Sequence, residues 1–315
     1  IGLQAMQTNT TGARNLAMGY LALGANTTAS YNTALGTSVL QSNTTGTNNH
    51  GVGSSALNWN KTGSYNVAMG GSALGKNRTG GYNSAFGNEA LRCNDSGCYN
   101  TAIGACSLYT NTSGDYNAAV GHCALGKNTT GACNIALGKC ALYGSLSGDH
   151  NFAAGQNALC KNWGGCYNNA IGVQVLCSNT TGLYNNAIGY IALHSNTTGG
   201  CNNAIGQAAL RYNTTGCLNN AIGRYALMNN TTGCYNNAIG SGGLKNNTEG
   251  NENFAGGPSA LKNNITGEGN VAIGNAAMND NLVGSYNNAM GYLSLYAGTS
   301  GNYNNALGYL ALCSN

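Results

Sequence analysis

Small apolar pairs recur along this chain, separated by short polar runs. Taking the glycine of Asn-Thr-Thr-Gly as position 0, Ala stands at +5, an Ile, Leu, Met or Val usually at +6, and Ala-Leu at +10 and +11. The fillers are Asn, Gly and Thr. Apolar pairs bounded by turn formers predict short strands between tight turns. Adjacent residues of a strand point to opposite faces, so the +5 and +6 columns part company. One lines an interior and the other faces outward.

The rhythm is a strict repeat. Position 0 falls at Gly12 and then, from Gly46, every 17 residues to Gly301, with Ala29 in the intervening place. The arithmetic is (301 − 12)/17 = 17 steps, hence 18 copies without insertion or deletion. Position +7 is always Gly, and +11 is Leu except at Met278. A unit of 17 residues is too short for a helix-turn-helix repeat, which needs more than about 30. A fixed period means that each unit stacks on the next in the same way. The prediction is all-β: a parallel β-solenoid of 17-residue coils, one continuous rod over 1–315. At one strand spacing per coil it would be roughly 85–90 Å long. The two fixed glycines supply positive φ or close backbone approach at corners.

Stacking turns every position into a ladder. Position +3 is Asn in all copies: Asn15, Asn32, Asn49, Asn66, Asn83, Asn100, Asn117, Asn134, Asn151, Asn168, Asn185, Asn202, Asn219, Asn236, Asn253, Asn270, Asn287 and Asn304. These form a candidate ladder of side-chain amides. Leu at +11 and Ile at +6 are candidate hydrophobic spines. Whichever of +5 and +6 faces out leaves an apolar strip, which predicts self-association into a fibre, as a trimer in one arrangement; a flattened coil whose bend places both inside is the alternative.

Composition narrows the class. Charged residues are 6% and glycine occurs 50 times with one proline, which excludes collagen. At 42% hydrophobic the chain is not a charge-swollen disordered segment. No run of about 18 apolar residues occurs, so no membrane span is predicted. The net charge of +4 is scattered, with only Lys76 and Arg78 close together, which argues against nucleic acid as a partner.

The turn at +14 to +16 repeats the N-glycosylation acceptor pattern Asn-x-Ser/Thr. It occurs at Asn9, Asn26, Asn43, Asn60, Asn77, Asn94, Asn111, Asn128, Asn179, Asn196, Asn213, Asn230 and Asn264, and one residue earlier at Asn229 and Asn246. Its middle residue varies while the outer two mostly do not, which suits an exposed turn carrying covalent glycans. Asx- and ST-turn chemistry would produce the same pattern without sugar.

Thirteen cysteines also fall in register. Cys106, Cys123 and Cys140 share +9, Cys160 and Cys177 share +12, and Cys217 and Cys234 share +1. Neighbours in one column should have Cα atoms about 4.8 Å apart, inside the disulfide window. These are the disulfide candidates, and with the acceptor sites they point to an extracellular or surface location. Cys133, Asp149, His150 and Cys166 lie close enough for a nucleophilic pair or metal to be considered, but +1 and +2 alternate sides. No Cys-x-x-Cys occurs, so no metal site and no cofactor is predicted. The eight acidic residues are dispersed, and an enzyme would need clustered acids or bases; no catalytic residue is assigned. Ten tyrosines share +2, from Tyr31 to Tyr303, as a stacked strip that could carry sugars or stabilise the coils.

The block Asn-x-Ala-Ile-Gly-x-x-Ala-Leu resembles the head repeats of YadA-like trimeric autotransporter adhesins and similar repeats of phage and large-virus tail fibres. The matching stretches include Asn168–Ile171–Gly172, Asn185–Gly189 and Asn32–Thr33–Ala34–Leu35–Gly36. The resemblance covers the whole chain through one short motif. It implies a left-handed parallel β-roll, often trimeric, acting as a fibre or adhesin at a virion or cell surface. The adhesin repeat is shorter, so the Asn-Thr-Thr turn departs from it. Three functions follow: a glycosylated structural fibre, a tail-fibre or adhesin shaft that binds a host receptor or carbohydrate, and an ice-binding array on the Thr column. The chain starts at +6 of one coil and ends at +14 of another, which reads as a segment of a longer chain.

Overall fold

The computed structural model describes residues 1–314. It holds eighteen strands of three residues each and no helix among the described residues. The chain divides into two compact units. The first runs from Ile1 to Asn157 with Asn162–Gly164, the second from Gly165 onward with Ala158–Lys161. The first contains β1 (Leu16–Met18) through β9 (Phe152–Ala154) and the second β10 (Asn169–Ile171) through β18 (Asn305–Leu307).

Within each unit every strand pairs in parallel with the next, offset by one repeat. Ala102 sits opposite Ala119, and Ala187 opposite Ala204. Each unit is therefore a β-solenoid of 17-residue coils. The ladder continues outside the strands. In successive coils Gly87 N–H donates to Met69 O at 2.8 Å, Leu74 N–H to Ala90 O at 3.0 Å and Tyr82 N–H to Ser64 O at 3.0 Å. The turns thus satisfy their backbone groups through the neighbouring coil, as buried amides must.

The strands show which apolar column faces inward. Their middle residue, the +5 Ala, is buried, while the +4 and +6 residues are half-buried or exposed. Ala at +5 and +10 and Leu at +11 fill a narrow interior; Ala85, Ala90 and Leu91 are wholly inaccessible. Methyl groups allow opposite walls of a 17-residue coil to approach closely. A fully buried Leu contributes about 1.5–3 kcal/mol.

Two glycine columns have distinct causes. Gly121, at +7, has φ of +135°, and a Cβ there would stand 2.6 Å from Gly138 O. Gly114, at position 0, has ordinary φ but is pressed against the next coil, where a Cβ would meet Gly131 O at 2.3 Å and Asn111 Oδ1 at 2.6 Å. The sequence gives no sign of a third feature. Positions +2, +9 and +11 are left-handed although, apart from Gly269 and Gly242, they are not glycine, as in Tyr99 (φ 58°), Cys106 (56°) and Leu108 (50°). That conformation costs about 1–2 kcal/mol per residue. At +11 the burial of the Leu side chain offsets it.

Candidate functional site: ladders and the outer sheet face

Asparagine occupies the interior corners. Asn100 at +3 donates from its backbone N–H to Asn83 Oδ1 at 2.9 Å and from Nδ2 to Gly114 O at 2.8 Å. Asn111 at +14 donates from Nδ2 to Asn94 Oδ1 at 2.8 Å and to the same Gly114 O at 3.0 Å. One carbonyl per coil is thereby held by two amide ladders. Asn15 and Asn304, the end rungs of the +3 ladder, are half-buried, and the rungs between them are buried.

This geometry corrects the glycosylation reading. Asn26, Asn43, Asn60, Asn77, Asn94, Asn111, Asn128, Asn179, Asn196, Asn213, Asn230 and Asn264 are all wholly inaccessible. Asn9 is half-buried, and its Nδ2 donates to Gly12 O at 3.0 Å. A glycan on Nδ2 would replace a hydrogen that the ladder uses and would have to pass through the neighbouring coils. In this fold these acceptor-pattern asparagines are structural. The threonines serve the same corner: Thr112 Oγ1 donates to Thr129 O at 2.9 Å, and Thr214 Oγ1 to Thr231 O at 3.0 Å.

The cysteine columns are in register, but no disulfide is closed among the described residues. Cys217 and Cys234 Sγ lie 2.9 Å apart as hydrogen-bonded thiols. That bond, with burial, pushes the Cys217 thiol up to about 11. The Cys177 thiol is likewise pushed up by its hydrogen bond to Cys160 and by burial. In the triplet, burial and the neighbouring Glu89 raise Cys106, while burial and Cys106 and Cys140 raise Cys123. None of the bridge candidates Cys106, Cys123, Cys140, Cys160, Cys177, Cys217 and Cys234 is therefore a cystine here.

Near Cys133 and His150 the side chains have local tasks. Asp149 Oδ1 accepts the Ala132 N–H at 2.7 Å, as Asp115 Oδ1 accepts the Cys98 N–H at 2.7 Å one coil pair earlier. No group of three or more His, Cys, Asp or Glu able to hold a metal ion occurs among the described residues.

Two surfaces remain. Tyr65, Tyr82, Tyr99 and Tyr116 stack with ring centroids 4.8–4.9 Å apart and planes within 9°. Stacking consumes the ring faces and turns only edges outward, so within a stack no face is free to lie on a sugar. The outer face of the sheet carries the +4 and +6 columns. In the second unit +4 holds an exposed-side amide ladder: Asn169 to Asn186, Asn186 to Asn203, Asn203 to Asn220 and Asn220 to Asn237, at 2.7–2.8 Å. Sequence reasoning missed it, although five consecutive Asn-Asn-Ala-Ile-Gly blocks announce it. Beside it the +6 column is an open apolar spine, with Ile222 36%, Ile239 44% and Met290 43% exposed. Among the described residues no helix is long and apolar enough to cross a membrane.

The fold and these surfaces define a tandem-repeat β-solenoid. Comparison with protein-family models, with curated proteins and with solved structures finds no match to this chain.

Proposed function

We propose that this chain is a structural module of an extracellular or virion-surface fibre, which associates with further copies of itself through the outer sheet face. One observation carries the reading: the +6 spine stays half-buried to exposed along a regular sheet face while the +5, +10 and +11 columns are packed inside. Burying such a spine against another copy is favourable by about 25 cal/mol per Å² of apolar area, and a contiguous apolar strip on a soluble surface marks an association site. The trimer is the arrangement that the resemblance to adhesin and tail-fibre repeats implies. The extracellular placement also rests on that resemblance, since the acceptor-pattern asparagines are engaged in the fold. The fibre needs no N-linked sugar at the buried amides.

Light scattering on a size-exclusion column tests the reading. The chain is expected to elute as a multimer, and Ile188→Glu with Ile222→Glu is expected to return it to a monomer with an unchanged melting curve. A monomeric parent chain at high micromolar concentration would remove the proposal.

A further inference from the structure

Column +12 of the first unit places Asn58, Gly75 and Arg92 in three consecutive coils. Gly75 has no side chain, so a gap one coil wide opens between an amide and a guanidinium. The gap is a recess of about 240 Å³ lined by Ser55, Asn58, Trp59, Ser72, Lys76 and Arg92 around Gly75. A second recess of about 200 Å³ shares Trp59 and Lys76 and adds Arg78, Cys93 and Asp95. Trp59 therefore stands between two adjoining hollows, and it is 55% exposed.

The charge here is not balanced. Lys61, Lys76, Arg78 and Arg92 are four of the chain's 12 basic residues. Asp95 pairs with Arg78, and Glu89 lies 3.4 Å from Arg92. Lys61 and Lys76 have no ion pair among the described residues. Arg92 is further held by its hydrogen bond to Tyr109 Oη at 2.6 Å. The first recess has cations, hydroxyls and an indole, and no carboxylate.

We propose that the Trp59–Lys76–Arg92 recess binds an acidic oligosaccharide, one whose sugar units carry carboxylate or sulfate groups. An indole covers the apolar face of a pyranose and keeps a polar N–H for the rim. Ser55 and Ser72 match sugar hydroxyls. Lysine and a pre-fixed arginine hold an oxyanion by charge-assisted hydrogen bonds. The volume is below the roughly 300–1,000 Å³ of drug-sized pockets, which suits one sugar unit of a polymer, with the second hollow for the next unit. A nucleic acid would need basic residues tracking a long backbone, and the remaining Lys and Arg are scattered. The proposal is independent of the fibre reading, because the recess is complete within one unit and a monomer could bind.

The test follows the fluorescence of Trp59 in the full chain carrying Trp163→Phe. The probes are a chondroitin sulfate tetrasaccharide, maltotetraose and inorganic sulfate. The acidic tetrasaccharide is expected to saturate the signal, more weakly as salt rises. Trp59→Ala, read by calorimetry, and Gly75→Tyr are each expected to weaken binding at least tenfold. Lys76→Ala is expected to weaken it and flatten the salt dependence, while Lys262→Ala, in the second unit, leaves it unchanged. These variants suit the fold, because +12 already accepts Tyr109 and Tyr143 and +13 accepts Ala25; melting curves verify this. Equal binding of maltotetraose, equal binding of sulfate alone, no binding of the tetrasaccharide, or full affinity in Gly75→Tyr would each overturn the proposal.

Discussion

Asn128 and Ser145 occupy the same +14 column one coil apart, and among the described residues neither Asn128 Oδ1 nor Ser145 Oγ has a hydrogen-bond partner. Elsewhere in that column the next Asn reaches back, as Asn128 Nδ2 itself does to Asn111 Oδ1 at 2.8 Å. The serine side chain is too short to span the coil spacing. A buried acceptor left unmade costs about 1–3 kcal/mol. Ser145→Asn is therefore expected to stabilise the first unit by about 1–2 kcal/mol and to raise its thermal midpoint by a few degrees in calorimetry. The reverse change at a complete rung, Asn94→Ala, removes the bonds to Asn77 Oδ1 and Gly97 O and should destabilise by more than one such bond.

The two glycine columns should respond differently to a methyl group. Position 0 already accepts an alanine at Ala29, whereas +7 accepts none in any copy. Gly121→Ala meets both a positive φ and the carbonyl of Gly138, so a loss of about 3 kcal/mol or more is expected. Gly114→Ala is expected to cost less, since its φ is ordinary and Ala29 shows that the fold accommodates a methyl group at position 0. Urea unfolding of the two variants gives the order.

His194 lies half-buried, and burial first, then Arg211 and Lys161, lower its pKa from 6.5. The unfolded chain then binds the proton more readily than the folded one. Stability is fully present above the unfolded pKa and falls as pH drops below about 6.5, levelling once the folded histidine also titrates. His194→Gln, with the side chain that Gln41 already places in this column, should flatten that limb. Asp95 acts lower, because its hydrogen bond to Arg78 lowers its pKa from 3.8, so that contribution is lost only as pH falls below that value. Melting midpoints between pH 7.5 and 3 separate the two.

The thiol of Cys217, raised to about 11, should alkylate slowly at pH 8, while the exposed Cys201 reacts early. Cys234→Ser removes the sulfur partner and should speed alkylation of Cys217. The column tolerates it, since Ser64 Oγ already accepts the Thr47 N–H at 3.0 Å. Time-resolved peptide mass spectrometry reads the order.

The fold was legible because its signal is periodic and redundant. A lost residue in one coil, such as Ser145 or Gly51, does not hide a column written 18 times. The candidate surfaces were less legible. The Trp59–Lys76 hollow depends on Gly75 in the adjacent column, and nothing in a local motif announces a missing side chain. Left-handed Leu91, after Ala90, looks like any Leu in an apolar pair.

The sequence by itself determined the period, the parallel stacking, the Asn ladder positions and the opposed faces of +5 and +6. Tertiary structure decided which face is inside: a 17-residue coil closes only around methyl-sized Ala at +5, which leaves Ile out. It also decided the fate of the Asn-Thr-Thr turn. A surface acceptor for sugar and a buried amide rung call for the same Asn and the same small hydroxyl residues. Only the position of the next coil, 17 residues away, shows that the Nδ2 hydrogens are already used.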